Sequence, residues 1–120
     1  MEIKGEAKLL RIFISNTDRF KHEPLYEAIV FAARRNGIAG ATVLKGVMGY
    51  GSSSVIHSLK FWEVTEKVPL VIEIVDESEK IDKFLEKIRP WFDKLRYGCM
   101  ITVEKAEIVL YKKGQKGLTI

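Results

Sequence analysis

One cysteine and two histidines in 120 residues leave little material for disulfide or metal chemistry. Cys99 has no second thiol to pair with, so an internal disulfide is excluded and a reducing, cytoplasmic compartment is expected. His22 and His57 belong to no HxxH or CxxC set, so a structural zinc site is not expected. No stretch approaches the roughly 18 uninterrupted apolar residues of a membrane span, which excludes helical insertion. The opening MEIKGEAKLL lacks the apolar run of a secretory leader. No G-K-[ST] follows the glycines near the middle of the chain, so they form no Walker A loop. Ser52, Ser53 and Ser54 lack a G-x-S-x-G frame, and His57 beside them has no orienting acid. A small oligomeric hydrolase using His57 and those serines stays an alternative. So does a metal-tolerance adaptor using the scattered His22, Glu23 and His57.

What is present describes a globular chain. Apolar residues make up 47% and charged residues 30%, which argues against disorder. Residues 1–120 are expected to form a single domain, large enough to bury a core without metal or disulfide. The net charge of +4 is unevenly spread. The basic tail 111–120 holds Lys112, Lys113 and Lys116 and no acid, leaving 17 basic against 16 acidic residues before it. A near-neutral body is a poor match to nucleic acid, which selects a basic face on the domain itself. A short basic tail suits a phosphate-bearing ligand better.

The periodicities give six elements. AKLLRIFIS, 7–15, alternates as a strand. The polar stretch NTDRFKH breaks it. EPLYEAIVFAARRNG predicts a helix over about 24–36, with Pro24 in the first turn, Arg34 and Arg35 in the last, and Gly37 as its stop. ATVLKGVM, 41–48, reads as a second strand and VPLVIEIVD, 68–76, as a third. Phe61, Trp62 and Val64 between them form either a short strand or a docking loop. Asp76 and Glu79 have capping-box spacing, with Asp in place of Ser or Thr. Ile81, Phe84, Leu85 and Ile88 then make one apolar stripe, and Pro90 is expected to end that second helix. CMITVEKAEIVLY, 99–111, reads as the last strand, with a break near Lys105 allowed.

The order β-α-β-β-α-β predicts an α+β, ferredoxin-like fold: a four-stranded antiparallel sheet with two helices on one face. The other face would be bare. The third strand is read as apolar on both sides, with Val71 and Ile74 set against Leu70 and Ile72. An exposed apolar face of that size predicts a homo-oligomer.

GVMGYGSSS, Gly46–Ser54, concentrates glycine at the end of the second strand. Glycine there permits positive φ and close backbone approach, and successive N–H groups in such a turn can cradle an anion. A plain hairpin tip would look the same. Three stretches in fixed order carry more. GATVLKGVMGYG, VPLVIEIVDESEKIDKFLEKI and AEIVLYKKGQKG resemble corresponding stretches of the PII family of nitrogen-regulatory signal proteins, and more closely its PII-like branch. The likeness covers roughly residues 8–118.

The resemblance implies a homotrimer with its sheets facing inward and an adenine nucleotide in each cleft between neighbouring subunits. It implies no required cofactor and no enzymatic activity. Carried over by position, Thr42, Gly46, Met48, Gly49 and Gly51 form the base of a long loop on one side of the nucleotide. Arg96 and Gly98 lie before the last strand, and Lys112 and Lys113 meet the phosphates. Tyr50, Ser52, Ser53, Ser54 and His57 belong to the loop, 49–60, that would touch a target protein.

The departures from the family are specific. Leu110 stands where the family has a second C-terminal arginine, and Cys99 stands where a lysine follows the loop glycine. Ser52 and Ser53 replace basic and Gln residues, and the loop is shorter. Each lost cationic contact is worth about 1.5–3 kcal/mol. AMP or ADP is therefore expected over ATP, with Lys94, Arg96 and Lys113 compensating in part. Regulation by 2-oxoglutarate with Mg-ATP is not expected.

Overall fold

The computed structural model describes residues 6–51, the backbone of 57–58, and residues 67–115. Four strands form the main sheet: β1 (Ala7–Ser15), β2 (Thr42–Lys45), β3 (Pro69–Glu77) and β4 (Met100–Ala106). Their order across the sheet is β2-β3-β1-β4, and every neighbouring pair is antiparallel. Helix α1 (Leu25–Arg35) joins β1 to β2, and α2 (Ser78–Lys94) joins β3 to β4. In each β-α-β unit another strand lies between the two joined strands, which is the split arrangement of a ferredoxin-like fold.

Strand alternation decides which face the helices cover. Leu10, Ile12 and Ile14 of β1 share a face with Leu70, Ile72 and Ile74 of β3, and all are buried. Leu25, Ile29, Ala32 and Ala33 of α1 and Ile81, Phe84 and Ile88 of α2 complete that core. Ile74 thus belongs with Leu70 and Ile72, and the assignment of Ile74 to the opposite side is corrected. The residues truly opposite are Val71, Glu73 and Val75. The open face is therefore apolar in rows rather than throughout.

Gly37 stops α1 as expected. It takes φ +73°, and the N–H groups of Asn36 and Ile38 close back on the carbonyls of Ala32 and Ala33 at 3.0 and 3.1 Å. The other end of this region differs from expectation. Asp76 does not cap α2, because it is still in β3, and the cap position is Glu77, which makes no side-chain cap bond. Asp76 is fully buried. Its carboxylate accepts the Ala39 N–H at 2.9 Å and the Glu77 N–H at 2.7 Å, pinning the α1–β2 connection to the end of β3.

Pro90 does not end α2, which continues to Lys94. The proline is exposed and forfeits one backbone bond. The turn beyond it packs Trp91, Phe92 and Leu95 against the core. Trp91 also stacks on Phe20 at 4.4 Å between ring centroids and 17° between planes. Phe20 sits in a small ribbon, Arg19–Phe20 paired with Glu23–Pro24, in a region that reads from the sequence only as a polar break. An interior proline costs about 3 kcal/mol, and burying two aromatic side chains offsets that amount.

Two strands are shorter than expected. β2 ends at Lys45 rather than 48, because Gly46 turns against Pro69 and the chain re-pairs only at Met48–Gly49. β4 ends at Ala106 rather than 111, because its partner β1 begins at Ala7, directly opposite Ala106. Phe61, Trp62 and Val64 lie outside the described residues.

Candidate functional site

The base of the glycine stretch is built around one proline. The Gly46 N–H donates to the Pro69 carbonyl at 2.8 Å. A Cβ on Gly46 would lie 2.7 Å from Pro69 Cγ, and one on Gly49 would lie 3.1 Å from the same atom. These glycines are small so that the backbone can close on Pro69. The neighbouring turn of chain is held from the other side as well. The Asn16 side-chain oxygen accepts the Val68 N–H at 2.9 Å, and the Asn16 N–H donates to the Val68 carbonyl at 3.1 Å. Met48 and Gly49 pair antiparallel with Ser58 and His57, closing a ribbon above this root. Gly51 is different: among the described residues, a Cβ added there would meet nothing within 4 Å.

Thr42 opens β2 opposite Glu73, on the face away from the helices, and is exposed. Val47, Met48 and Tyr50 stand out from the root, with Tyr50 71% exposed. Ser52, Ser53 and Ser54 lie outside the described residues, and so does the side chain of His57.

Arg96 and Gly98 are exposed in the connection to β4. Met100 pairs with Phe13 near the end of β1, and Ser15 pairs with Pro69 at the start of β3. This connection and the glycine root therefore share one end of the sheet. They are three strand spacings apart, roughly 14 Å. Between them lies a feature that sequence reasoning missed. Asp18 is buried, accepts the Ser15 N–H at 2.9 Å, and gives its own carbonyl to the Leu25 N–H at 2.8 Å. Burial raises its carboxyl above the ordinary aspartate value, against the opposing pull of the Ser15 bond and of Lys67. The Cys99 thiol is pushed up as well, first by partial burial and then by the Asp18 carboxylate. So the position where the resemblance places a lysine holds a thiol whose charged form is disfavoured by burial and by the Asp18 carboxylate. No pattern in the sequence joins Asp18 to Cys99, since roughly 80 residues separate them.

Asp18 has a consequence for stability. A carboxyl raised in the fold takes up its proton there before it does in the unfolded chain. Its contribution is full in acid, below the ordinary aspartate value, and is lost as pH rises through the raised value. Asp18→Asn, neutral throughout, should gain stability relative to wild type between about pH 3 and pH 7. Urea melts at both pH values measure this; a difference that does not change with pH would contradict it.

Lys112 and Lys113 are exposed and follow Tyr111. Tyr111 borders an open concavity of about 510 Å³ with Val75, Glu107, Ile108, Val109 and Leu110. Val75 is six residues along β3 from Pro69, roughly 20 Å at strand rise. Within one chain, then, the glycine root and the segment leading into the lysines stand toward opposite ends of the sheet. Met48, Gly46 and Gly49 come together at the root, while Lys112 and Lys113 do not join them. Among the described residues no group of three or more His, Cys, Asp and Glu is placed to hold a metal ion. Among them, too, no helix is long and apolar enough to cross a membrane.

Known proteins share this arrangement. Residues 7–108 match the DUF190 family, described as Uncharacterized ACR, COG1993. A UPF0166 protein of Aquifex aeolicus is 38% identical over 104 residues, covering 87% of this chain and 94% of its own. A UPF0166 protein of Methanocaldococcus jannaschii is 37% identical over 83 residues, covering 69% of this chain and 76% of its own. Among solved structures, a protein described as PII-like from Thermus thermophilus superposes with a TM-score of 0.60 at 20% identity, covering 87% of this chain and 90% of that one. CPII from Thiomonas intermedia, a nitrogen regulatory PII-like protein bound to ADP, AMP and bicarbonate, superposes with a TM-score of 0.58 at 20% identity, covering 88% and 92%. The strand order, the two helices on one sheet face and the long β2–β3 connection agree with this likeness, and the chain belongs to the DUF190 (UPF0166) family, with the fold of the PII-like proteins.

Proposed function

We propose that this protein is a non-enzymatic, cytoplasmic PII-like regulator. It binds AMP or ADP in preference to ATP at clefts between the subunits of a homotrimer and signals to a partner protein through the 49–60 loop. The observation that carries the reading is the separation of the two halves of the candidate site. The glycine root adjoins Pro69 and the segment before Lys112 adjoins Val75, so one ligand reaches both only where two copies meet. The adenine nucleotides bound to the PII-like protein CPII support the choice of ligand class. The bare sheet face, where Leu44 is 46% and Met100 54% exposed, supports the oligomer.

In this reading Thr42, Gly46, Met48, Gly49 and Gly51 supply backbone and shape on one side of the cleft. Arg96, Gly98, Lys112 and Lys113 come from the other elements, and the lysines carry the phosphate charge. Cys99 and Asp18 add no cation at the loop before β4, which favours one or two phosphates over three. Tyr50, Ser52, Ser53, Ser54 and His57 would contact the target. Titration calorimetry with AMP, ADP and ATP tests the ligand, and no binding of any of them at millimolar concentration would overturn it. Lys112→Ala should weaken ADP by roughly 10- to 150-fold, the value of one charged contact. An unchanged ADP affinity would remove Lys112 from the site.

A further inference from the structure

Six cations that the sequence scatters between positions 19 and 96 gather at the glycine-root end of the fold. Lys45 closes β2 and Lys67 leads into β3, one on each side of the root. Arg19 and Lys21 sit in the small ribbon after β1, which Phe20 stacks against Trp91 in the last turn of α2. Lys94 ends α2, and Arg96 lies in the connection to β4. All six are exposed. None of them forms an ion pair among the described residues. Arg19 donates to the His22 carbonyl, and the Lys21 ammonium lies 5.5 Å from the Phe20 ring centroid. The ion pairs present lie elsewhere: Lys8 with Asp82, Arg11 with Glu73 and Glu104, and Lys83 with Glu79. The carboxylates that share the root end are Glu23, Glu27, Asp93 and the buried Asp18, fewer than the cations. A body that is nearly neutral along the sequence is thus basic at one end in space.

We propose that this basic end is the docking face for a protein partner that presents clustered Asp and Glu side chains. The inference rests on the partner reading above and deepens it, by adding the partner's chemistry and the residues outside the loop that meet it. Charge complementarity carries the choice. Cations without an internal partner need no ion pair broken before docking, and they steer an acidic surface toward the root. Val47, Met48 and Tyr50 stand out among them, 72%, 56% and 71% exposed. Apolar and aromatic side chains within a charged rim are the make-up of a protein interface. The cations also spread across the width of the sheet end, roughly 14 Å, and onto the helical layer, which suits an extended acidic surface. A bilayer would call for an apolar helix face as well, and the apolar stripes of α1 and α2 are spent on the core. Nucleic acid selects a larger excess of positive charge than this body holds.

The test compares wild type with two triple variants that remove the same charge from opposite ends. One is Lys21→Gln, Lys45→Gln, Lys67→Gln at the root end. The other is Arg34→Gln, Arg35→Gln, Lys105→Gln, at the end of α1 and in β4. Fluorescence anisotropy at about 0.15 M salt measures binding to labelled poly-L-glutamate, with circular dichroism to confirm the fold. Wild type should bind poly-L-glutamate more tightly than duplex DNA or vesicles of phosphatidylcholine and phosphatidylglycerol. The root-end triple should lose about tenfold or more, roughly threefold for each exposed charge, and the far-end triple less than about threefold. If the root-end triple does not fold, single Lys45→Gln and Lys67→Gln variants decide. Equal losses in the two triples would overturn the docking face, because net charge alone would then explain binding. Tighter binding of DNA or vesicles would overturn the acidic protein as partner. Calorimetry with ADP on the same samples separates this inference from the nucleotide reading. Absent ADP binding with the root-end loss intact would sink the nucleotide and leave the docking face. Equal losses with ADP still bound would overturn the docking face alone.

Discussion

Replacing Asp76 by alanine is expected to lower the unfolding free energy by roughly 3–5 kcal/mol, the value of two backbone bonds to a buried charge. The carboxylate has no exposure and accepts two N–H groups, from Ala39 in the α1–β2 connection and from Glu77 at the entrance to α2. Alanine leaves both donors in a site from which water is excluded. The two penalties fall on one hinge of the fold, where the end of β3 meets the chain leading into β2. For a chain of this length that loss corresponds to a fall in Tm of roughly 10–20 °C. Scanning calorimetry and urea melts measure it. Asp76→Asn keeps one acceptor but turns an amide toward the other N–H, so it should recover only part of the loss. A drop below about 1 kcal/mol in Asp76→Ala would mean that the two N–H groups find other acceptors.

The second large effect is expected at Gly46. Gly46→Val places its Cβ where 2.7 Å separates it from Pro69 Cγ and 3.3 Å from the Pro69 carbonyl oxygen, and two further methyl groups must follow. Either the ring and its strand move or the Gly46 N–H to Pro69 bond opens. Overpacking of this kind costs about 1–3 kcal/mol, and the lost bond adds about 1 kcal/mol. Amide exchange at Gly46 should quicken before that of the β1–β3 ladder, because the damage is local to the root. Nucleotide affinity should fall with it in the proposed reading. Gly51→Val is the internal control: among the described residues nothing lies within 4 Å of that position, so it should leave both stability and exchange nearly unchanged. Equal effects at Gly46 and Gly51 would show that loop flexibility, not close approach to Pro69, is what glycine provides here.

These two positions also show where reading the chain succeeds and where it stops. β1 is Ala7–Ser15, as its alternation predicts, and the buried positions of α1 and α2 fall on their apolar stripes. Such signals are local: each residue declares its face by spacing alone. The stripe even continues past Pro90 as Trp91, Phe92 and Leu95, a signal that the helix-breaking rule obscured. Asp76 has the spacing of a cap, yet its carboxylate serves a residue 37 positions away. The ends of β2 and β4 depend likewise on which partner strand is present, as Ala7 opposite Ala106 shows.

The site divides in the same way. Clustered glycines at the end of a strand mark the root of the loop in the sequence, and the lysines mark the tail by charge. That Gly46 and Gly49 are pressed on Pro69, that the buried Asp18 carboxylate acts on the Cys99 thiol, and that the segment before Lys112 adjoins Val75, roughly 20 Å along β3 from Pro69, are long-range facts. By itself the sequence determined the elements, their order and the class of fold, because hydrophobic period and helix stops act over a few residues. The tertiary structure alone decided which groups meet, because those distances come from strand order and register. It gave the close backbone approach expected of the glycine stretch its partner, Pro69, against which Gly46 and Gly49 close.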